Sequence, residues 1–190
     1  MTIFDSLTFN RSVPSLLKPV YGETTTFASV LIIHGGTLLA TGLLWWLFRH
    51  DPILQTAESG QIAMWLLWDL VGGSLAHLTA TNHRYWARLP AEMRLLALAS
   101  MAWQPLVLVT VYNQSMLLLV ELHLFAGTTY WLLTRTPVYI VLALGIGACA
   151  WLTYQLSLTA PIAVLSLFYC LKAVLAYRPE QAEPEGLGVG

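Results

Sequence analysis

The sequence predicts an all-α membrane protein: a polytopic helix bundle of six transmembrane helices, with both termini cytoplasmic. Three observations support this prediction. Of the 190 residues, 57% are hydrophobic and only 10% are charged, whereas soluble domains carry about 25% charged residues. Apolar stretches of spanning length recur along the chain, and the basic residues between them fall almost entirely on one side.

Each predicted span comes from a stretch of roughly 20 mostly apolar residues, the length that crosses a bilayer as a helix. The third and fourth stretches adjoin, and together they are about twice as long as one crossing requires. A turn is therefore predicted at Asn113, Gln114 and Ser115, which are common turn residues. The six predicted spans are 27–48, 61–82, 92–112, 114–134, 137–156 and 161–177.

The distribution of basic residues predicts the orientation. With a cytoplasmic N-terminus, only Arg49 of the nine Lys and Arg residues lies outside, which is a strong positive-inside bias. A cell membrane of the bacterial inner-membrane type is the predicted location. The basic residues on the predicted cytoplasmic side are Arg11, Lys18, Arg84, Arg88, Arg94, Arg135, Lys172 and Arg178.

The two ends of the chain are predicted to lie outside the bundle of residues 27–177. Segment 1–26 lacks the pattern of a signal peptide and is broken by Pro14 and Pro19, so we expect it at the cytoplasmic membrane interface. Segment 178–190 is acidic and rich in Pro and Gly, which predicts a flexible tail.

Composition also bears on partners and on the two cysteines. The net charge of −1 gives no support for nucleic-acid binding, and membrane lipid is the expected partner. Cys149 and Cys170 both fall in apolar stretches, so they are interpreted as buried thiols rather than as a disulfide or a metal pair.

Ionisable residues inside the spans are the best candidates for function, because each costs a few kcal/mol at the centre of a membrane helix. Counted from the outer helix ends at about 1.5 Å per residue, they form two tiers. The outer tier, roughly 10–14 Å deep, holds Asp69, Glu121 and His123, together with Gln104, which is polar but not ionisable. The inner tier, roughly 21–24 Å deep, holds His34 and His77.

Helical periodicity predicts which of these side chains face one another. In the second span, the polar and small residues share one face, and Leu67, Val71, Leu75 and Leu78 share the other. Glu121 and His123 lie about 200° apart on a helix, and Glu121 is preferred as the inward group. The inward face of the second span contains Asp69, Gly72, Gly73, Ala76, His77 and Ala80, and that of the first span contains His34, Thr37 and Thr41.

The favoured functional hypothesis is an intramembrane pocket between the first four spans that acts on a small or lipid-like molecule or relays protons. This describes either a membrane enzyme or a proton-coupled carrier. The predicted catalytic residues are Asp69, Glu121, His77 and His34, and the predicted substrate-binding residues are Gln104, Gly72, Gly73, Thr41 and Arg84.

Three alternatives remain open. His34 and His77 at matched depth could be the axial ligands of a b-type haem in an electron-transfer subunit. The His, Asp and Glu side chains could together hold a metal ion, although no HExxH or HxxxH spacing supports one. The small-residue face of the second span could instead dock a helix of a partner subunit or of a second copy, as in an accessory subunit of a larger membrane complex.

Overall fold

The computed structural model describes residues 11–133 and 137–177. The predicted tail 178–190 and Arg135 lie outside the described residues. Of the predicted N-terminal segment 1–26, residues 1–10 also lie outside the described residues. The described part begins with a short ladder, in which β1 (Arg11–Ser12) pairs antiparallel with β2 (Thr24–Thr25). Between the two strands lie a single 3-10 turn, Ser15–Leu17, and the short helix α1 (Lys18–Tyr21).

The rest of the described chain is helical. Hydroxyl side chains at Thr26 and Thr56 begin two of the long helices, since each accepts a hydrogen bond of 3.1 Å from the backbone N–H three residues later. The helices are α2 (Phe27–Phe48), α3 (Ala57–Leu78), α4 (Ala80–Arg88), α5 (Ala91–Ser100), α6 (Trp103–Val111), α7 (Met116–Leu132), α8 (Val138–Gln155) and α9 (Ala160–Tyr177).

Helices α3 and α9 form the centre of the bundle. They pack against each other; α3 also packs against α2, and α9 against α7 and α8. Leu66, Leu70 and Tyr169 are fully buried in the resulting core. By contrast, α2 exposes large apolar side chains such as Leu39, which is 75% exposed. Such a surface is expected of a helix that faces lipid.

By length and composition, fewer of the described helices qualify as membrane spans than the six predicted. Among the described residues, Phe27–Phe48 and Ala91–Val111 are long and apolar enough, and a bent pair, Glu58–Leu78 with Thr81–Arg88, makes a third if it counts as one span. The helices Met116–Thr129, Tyr139–Gln155 and Ala160–Ala176 are apolar but shorter. The all-helical bundle is therefore confirmed, while six spans and the orientation of the termini stay predictions.

The second predicted span, 61–82, is wrong at its C-terminal end. Helix α3 stops at Leu78, and α4 leaves it at an angle of 89°. At the corner, Thr79 has an extended backbone, and its hydroxyl donates a 2.7 Å hydrogen bond to the carbonyl of Ala76. The hydroxyl therefore occupies the carbonyl that would accept a backbone N–H if the helix continued. Thr side chains commonly compete with helical hydrogen bonds in this way.

The third predicted span, 92–112, is interrupted between α5 and α6. Pro105 lacks the N–H that would bond to the carbonyl of Met101, and that carbonyl accepts instead from the backbone of Gln104 at 3.2 Å. The break between the two helices therefore lies just before Gln104 and Pro105. The predicted turn at 113–115 also separates α6 from α7, with Asn113 at a φ of +50°.

The two cysteines are buried thiols, as predicted, but they also touch. Cys149 on α8 and Cys170 on α9 are 5% and 2% exposed, and their Sγ atoms lie 3.3 Å apart. This contact places the middle of α8 directly against α9, which is the helix that also reaches α3.

Candidate functional site

A cavity of about 500 Å³ lies beside the centre of the bundle. Its walls come from α2, α3, α4, the junction between α5 and α6, α9 and the N-terminal segment. This volume is within the range of small-molecule binding sites. Six of the side chains and glycines predicted for function line it: His34, Asp69, Gly72, Gly73, His77 and Gln104.

Asp69 is the centre of the polar cluster on the cavity wall. Its Oδ2 atom accepts a hydrogen bond from Lys172 Nζ on α9 at 2.8 Å, and another from Gln104 Nε2 on α6. The Lys172 side chain is 13% exposed and that of Asp69 is 35% exposed. The ammonium is thus mostly buried, whereas the carboxylate stays partly exposed. Charge pairing here is stronger than at an open surface and weaker than in a fully buried interior.

Gln104 also presents a free acceptor beside this ion pair. The residue is buried, and its Oε1 atom has no hydrogen-bond partner among the described residues. A buried acceptor without a donor costs free energy, and a ligand in the cavity could satisfy this atom only if the amide turned toward it.

The glycine pair of α3 explains how Lys172 reaches Asp69. A Cβ atom at Gly73 would lie 2.5 Å from Lys172 Cε and 3.1 Å from its Nζ, so any larger residue would push the lysine away. At Gly72, a Cβ atom would lie 3.2 Å from the hydroxyl oxygen of Thr37 on α2. The absence of a side chain at Gly73 thus lets α9 approach α3 closely, and its absence at Gly72 lets α2 approach.

The two predicted histidines lie at the other end of the cavity, near the N-terminal segment. The hydroxyl of Tyr21 is hydrogen-bonded to Nε2 of His34. The ring of His77 is buried and meets that of Trp86 edge to face, with centroids 5.5 Å apart. The cavity therefore has an ion pair at one end and two imidazoles at the other.

The N-terminal segment is fixed over the histidine end of the cavity. Asn82 Nδ2 donates to the carbonyls of Pro19 and Val20 at 2.7 and 2.8 Å, and Trp86 Nε1 donates to Pro19 at 3.0 Å. At Gly22, with a φ of +80°, a side chain would overlap the backbone carbonyl of Thr81. This segment was predicted only to rest on the membrane interface; it is also a wall of the cavity.

Three predicted site residues lie elsewhere. Glu121 is exposed on α7, so the preference for it as the inward group is wrong. The part-buried His123 points inward instead, with Nδ1 3.3 Å from the Tyr169 hydroxyl. Thr41 is buried outside the cavity lining. Arg84 lies on α4 and lines a separate small cleft.

Glu121 was misassigned because depth and the cost of burial do not determine helix rotation. One helix turn carries both Glu121 and His123, and only packing against α9 decides which of them is covered.

Sequence reasoning missed two members of the site, Lys172 and Tyr21. Lys172 lies five residues before the end of an apolar helix, and it was counted only as a cytoplasmic charge. The signal that could have found it was the unpaired carboxylate of Asp69, which requires a countercharge inside a bundle. Tyr21 offered no such signal, because its position depends on how the N-terminal segment folds back.

The donor groups bear differently on the metal and haem alternatives. Among residues 11–133 and 137–177, no three His, Cys, Asp or Glu side chains are close enough to hold a metal ion together. His34 and His77 do line one cavity, as the haem alternative requires, but Nε2 of His34 is engaged by Tyr21. Axial ligation through that nitrogen would require this hydrogen bond to break.

Comparisons with protein-family models, curated proteins and solved structures found no match for this chain.

The Asp69–Lys172 pair makes a testable prediction about stability. Asp69→Asn or Lys172→Gln alone is expected to lower the free energy of unfolding by about 2–3 kcal/mol, because each leaves one uncompensated charge. The double variant is expected to be more stable than either single variant, and denaturant unfolding in detergent measures all four proteins as a double-mutant cycle.

The matched control is Glu58→Gln, which removes an exposed carboxylate from the first turn of the same helix. Its effect should stay within about 0.5 kcal/mol. Strictly additive losses for Asp69→Asn and Lys172→Gln would show that the two charges do not interact.

Proposed function

We propose that this chain is a multi-pass membrane protein that binds a small or lipid-like molecule in the cavity beside α3. Asp69, Lys172, His34 and His77 then act on that molecule by acid/base chemistry or by relaying protons. The observation that carries the proposal is the gathering of these ionisable groups around one cavity in an apolar bundle. Ionisable groups inside membrane-spanning helices are costly, and in membrane proteins they mark substrate or proton pathways.

The end of the cavity at Asp69 is suited to hold the polar part of the ligand. The Asp69 carboxylate is a proton acceptor, and the Lys172 ammonium is a donor 2.8 Å away. Oε1 of Gln104 adds an acceptor that is still unused. A ligand that carries both a donor and an acceptor can hydrogen-bond to all three groups. General acid/base catalysis requires the reacting group to lie within hydrogen-bond distance of the acid or base.

The histidine end is too far away for direct proton exchange with Asp69. His77 follows Asp69 by eight residues on α3, which is about 12 Å along the helix axis, whereas proton transfer needs donor and acceptor about 3 Å apart. Between Asp69 and His77, the wall that α3 contributes to the cavity includes Gly72 and Gly73, which have no side chain that could pass a proton on. A bound ligand or a file of waters in the cavity would have to bridge the two ends, which is compatible with either a membrane enzyme or a proton-coupled carrier.

The membrane arrangement that we propose is six spans in a membrane of the bacterial inner-membrane type, with both termini cytoplasmic. The shorter apolar helices α7, α8 and α9 then cross the bilayer beside α2, α3 and the α5–α6 pair. The positive-inside bias of the sequence supports this orientation.

A second candidate role is that of a subunit in a membrane complex or a homo-oligomer. Glu121 is exposed on α7 beside the exposed apolar side chains of Val120 and Leu124. A carboxylate is unfavourable on a lipid-facing surface. A polar donor from a helix of a second chain would satisfy Glu121 and favour association at this face.

The cavity proposal is tested by the amphiphiles that copurify with the protein. Lipid extracts of protein purified in mild detergent, measured by mass spectrometry, should contain a molecule enriched over bulk membrane lipid. Ala76→Trp, which fills the cavity, should abolish its retention. Asp69→Asn should reduce retention about tenfold, the effect of losing one charge-assisted hydrogen bond.

The control is Leu39→Trp on the exposed face of α2, which should leave retention unchanged. Identical extracts from all four proteins would contradict the proposal. A visible haem absorption band lost in His77→Ala would support the haem alternative instead.

The six-span arrangement is tested by reporters fused after Leu158 and after Gly190. Six spans place Leu158 outside and Gly190 in the cytoplasm. If only 27–48 and 91–111 cross, both reporters are cytoplasmic, and if the bent pair crosses as well, both are outside. The pair of fusions therefore separates the three arrangements.

The association proposal is tested by cysteine cross-linking in membranes. Leu124→Cys, in a background of Cys149→Ser and Cys170→Ser, should form an oxidised dimer, and Glu121→Gln should weaken it. Leu39→Cys on α2 is the control and should not cross-link. If Leu124→Cys stays monomeric, self-association through α7 is ruled out.

A further inference from the structure

Helix α4 differs from the other helices in direction and in chemistry. It leaves α3 at 89°, so if α3 crosses the bilayer, α4 lies along the membrane surface. Its buried side is formed by Asn82 and His83, while Arg84 and Arg88 are exposed. These two arginines are four residues apart, and therefore neighbours on one face of the helix.

The two arginines line a cleft of about 140 Å³ that is separate from the cavity described above. Its other walls are Thr81 and Tyr85 on α4 and Glu23 and Thr24 of the N-terminal segment. The tight approach of Gly22 to the backbone of Thr81 fixes the distance between these two walls. The cleft is thus built by the docking of two segments that are about 60 residues apart in sequence.

The charges in the cleft favour an anion. Among the described lining residues there are two arginines and one carboxylate, that of Glu23, so this part of the lining carries a net positive charge. Thr24, Thr81 and Tyr85 add hydroxyl groups that can donate hydrogen bonds. Arginine pairs are the usual protein partners of phosphate, because the planar guanidinium matches two of its oxygens.

The positive-inside rule requires only that basic residues lie on the cytoplasmic side. It does not require two arginines and three hydroxyl side chains to share one cleft.

We propose that the cleft between α4 and the N-terminal segment binds a phosphate group, in the first place that of an anionic phospholipid headgroup. Its position on a surface helix, directly after the end of α3, is where headgroup phosphates lie. Glu23 opposes the anion and tunes the affinity downward. The site is independent of the reaction proposed for the cavity.

The test titrates the purified full chain in neutral detergent with short-chain phosphatidylglycerol, short-chain phosphatidylcholine and inorganic phosphate. Phosphatidylglycerol is expected to bind more tightly than phosphatidylcholine, whose headgroup has no net charge. The double variant Arg84→Gln, Arg88→Gln should weaken phosphatidylglycerol binding at least about tenfold. Glu23→Gln should strengthen it, an effect that a misfolded variant does not produce.

The matched control is Arg49→Gln at the opposite end of the bundle, where the guanidinium donates to the carbonyl of Trp46 and lies over its ring. It should leave phosphatidylglycerol binding unchanged. If inorganic phosphate displaces phosphatidylglycerol, free phosphate is identified as the ligand. If inorganic phosphate does not displace it, the lipid is identified as the ligand. Equal binding of the two lipids, or an unchanged affinity in the arginine double variant, overturns the proposal.

Discussion

The ion pair between Asp69 and Lys172 is the interaction on which the rest of the structure depends. It joins α3 to α9, the two helices at the centre of the bundle. An unpaired carboxylate or ammonium in an apolar interior costs several kcal/mol. Each charge therefore requires the other, and this requirement fixes both the register and the rotation of α3 against α9. Gly73 makes the approach possible, because it leaves room for the lysine side chain.

The position of α9 in turn determines the surroundings of the cavity. The helix contacts α8 through Cys170 and Cys149 and packs against α7, where the Tyr169 hydroxyl meets His123. Its Lys172 and Ala176 side chains face the cavity. On the adjoining side of α3, the absence of a side chain at Gly72 leaves room for Thr37 of α2. One helix with a small-residue face thus holds two neighbours at close distance and leaves a polar cavity beside them.

The polar stripe of α3 was predictable because helical periodicity and the cost of buried charge both act along the sequence. Asp69, Gly72, Gly73 and His77 all reach the cavity wall as periodicity requires. The corner at Thr79 was not predictable in the same way, since no proline or glycine stands there in the sequence. What ends α3 there is local hydrogen-bond competition, together with the N-terminal segment that docks on Asn82. Glu121 was misassigned because two ionisable residues lie on one turn of α7, and the sequence does not determine how that helix is rotated.

The sequence by itself determined the helical class, the apolar character and the face of α3 that lines the cavity. These properties depend on the period of one helix and on the free energy of transferring each side chain from water, both of which are local. The tertiary structure alone decided that Lys172 is the partner of Asp69, that Tyr21 meets His34 and that Arg84 belongs to a different cleft. Those pairings join residues far apart along the chain, and they are set by which helices pack together, which no local pattern encodes.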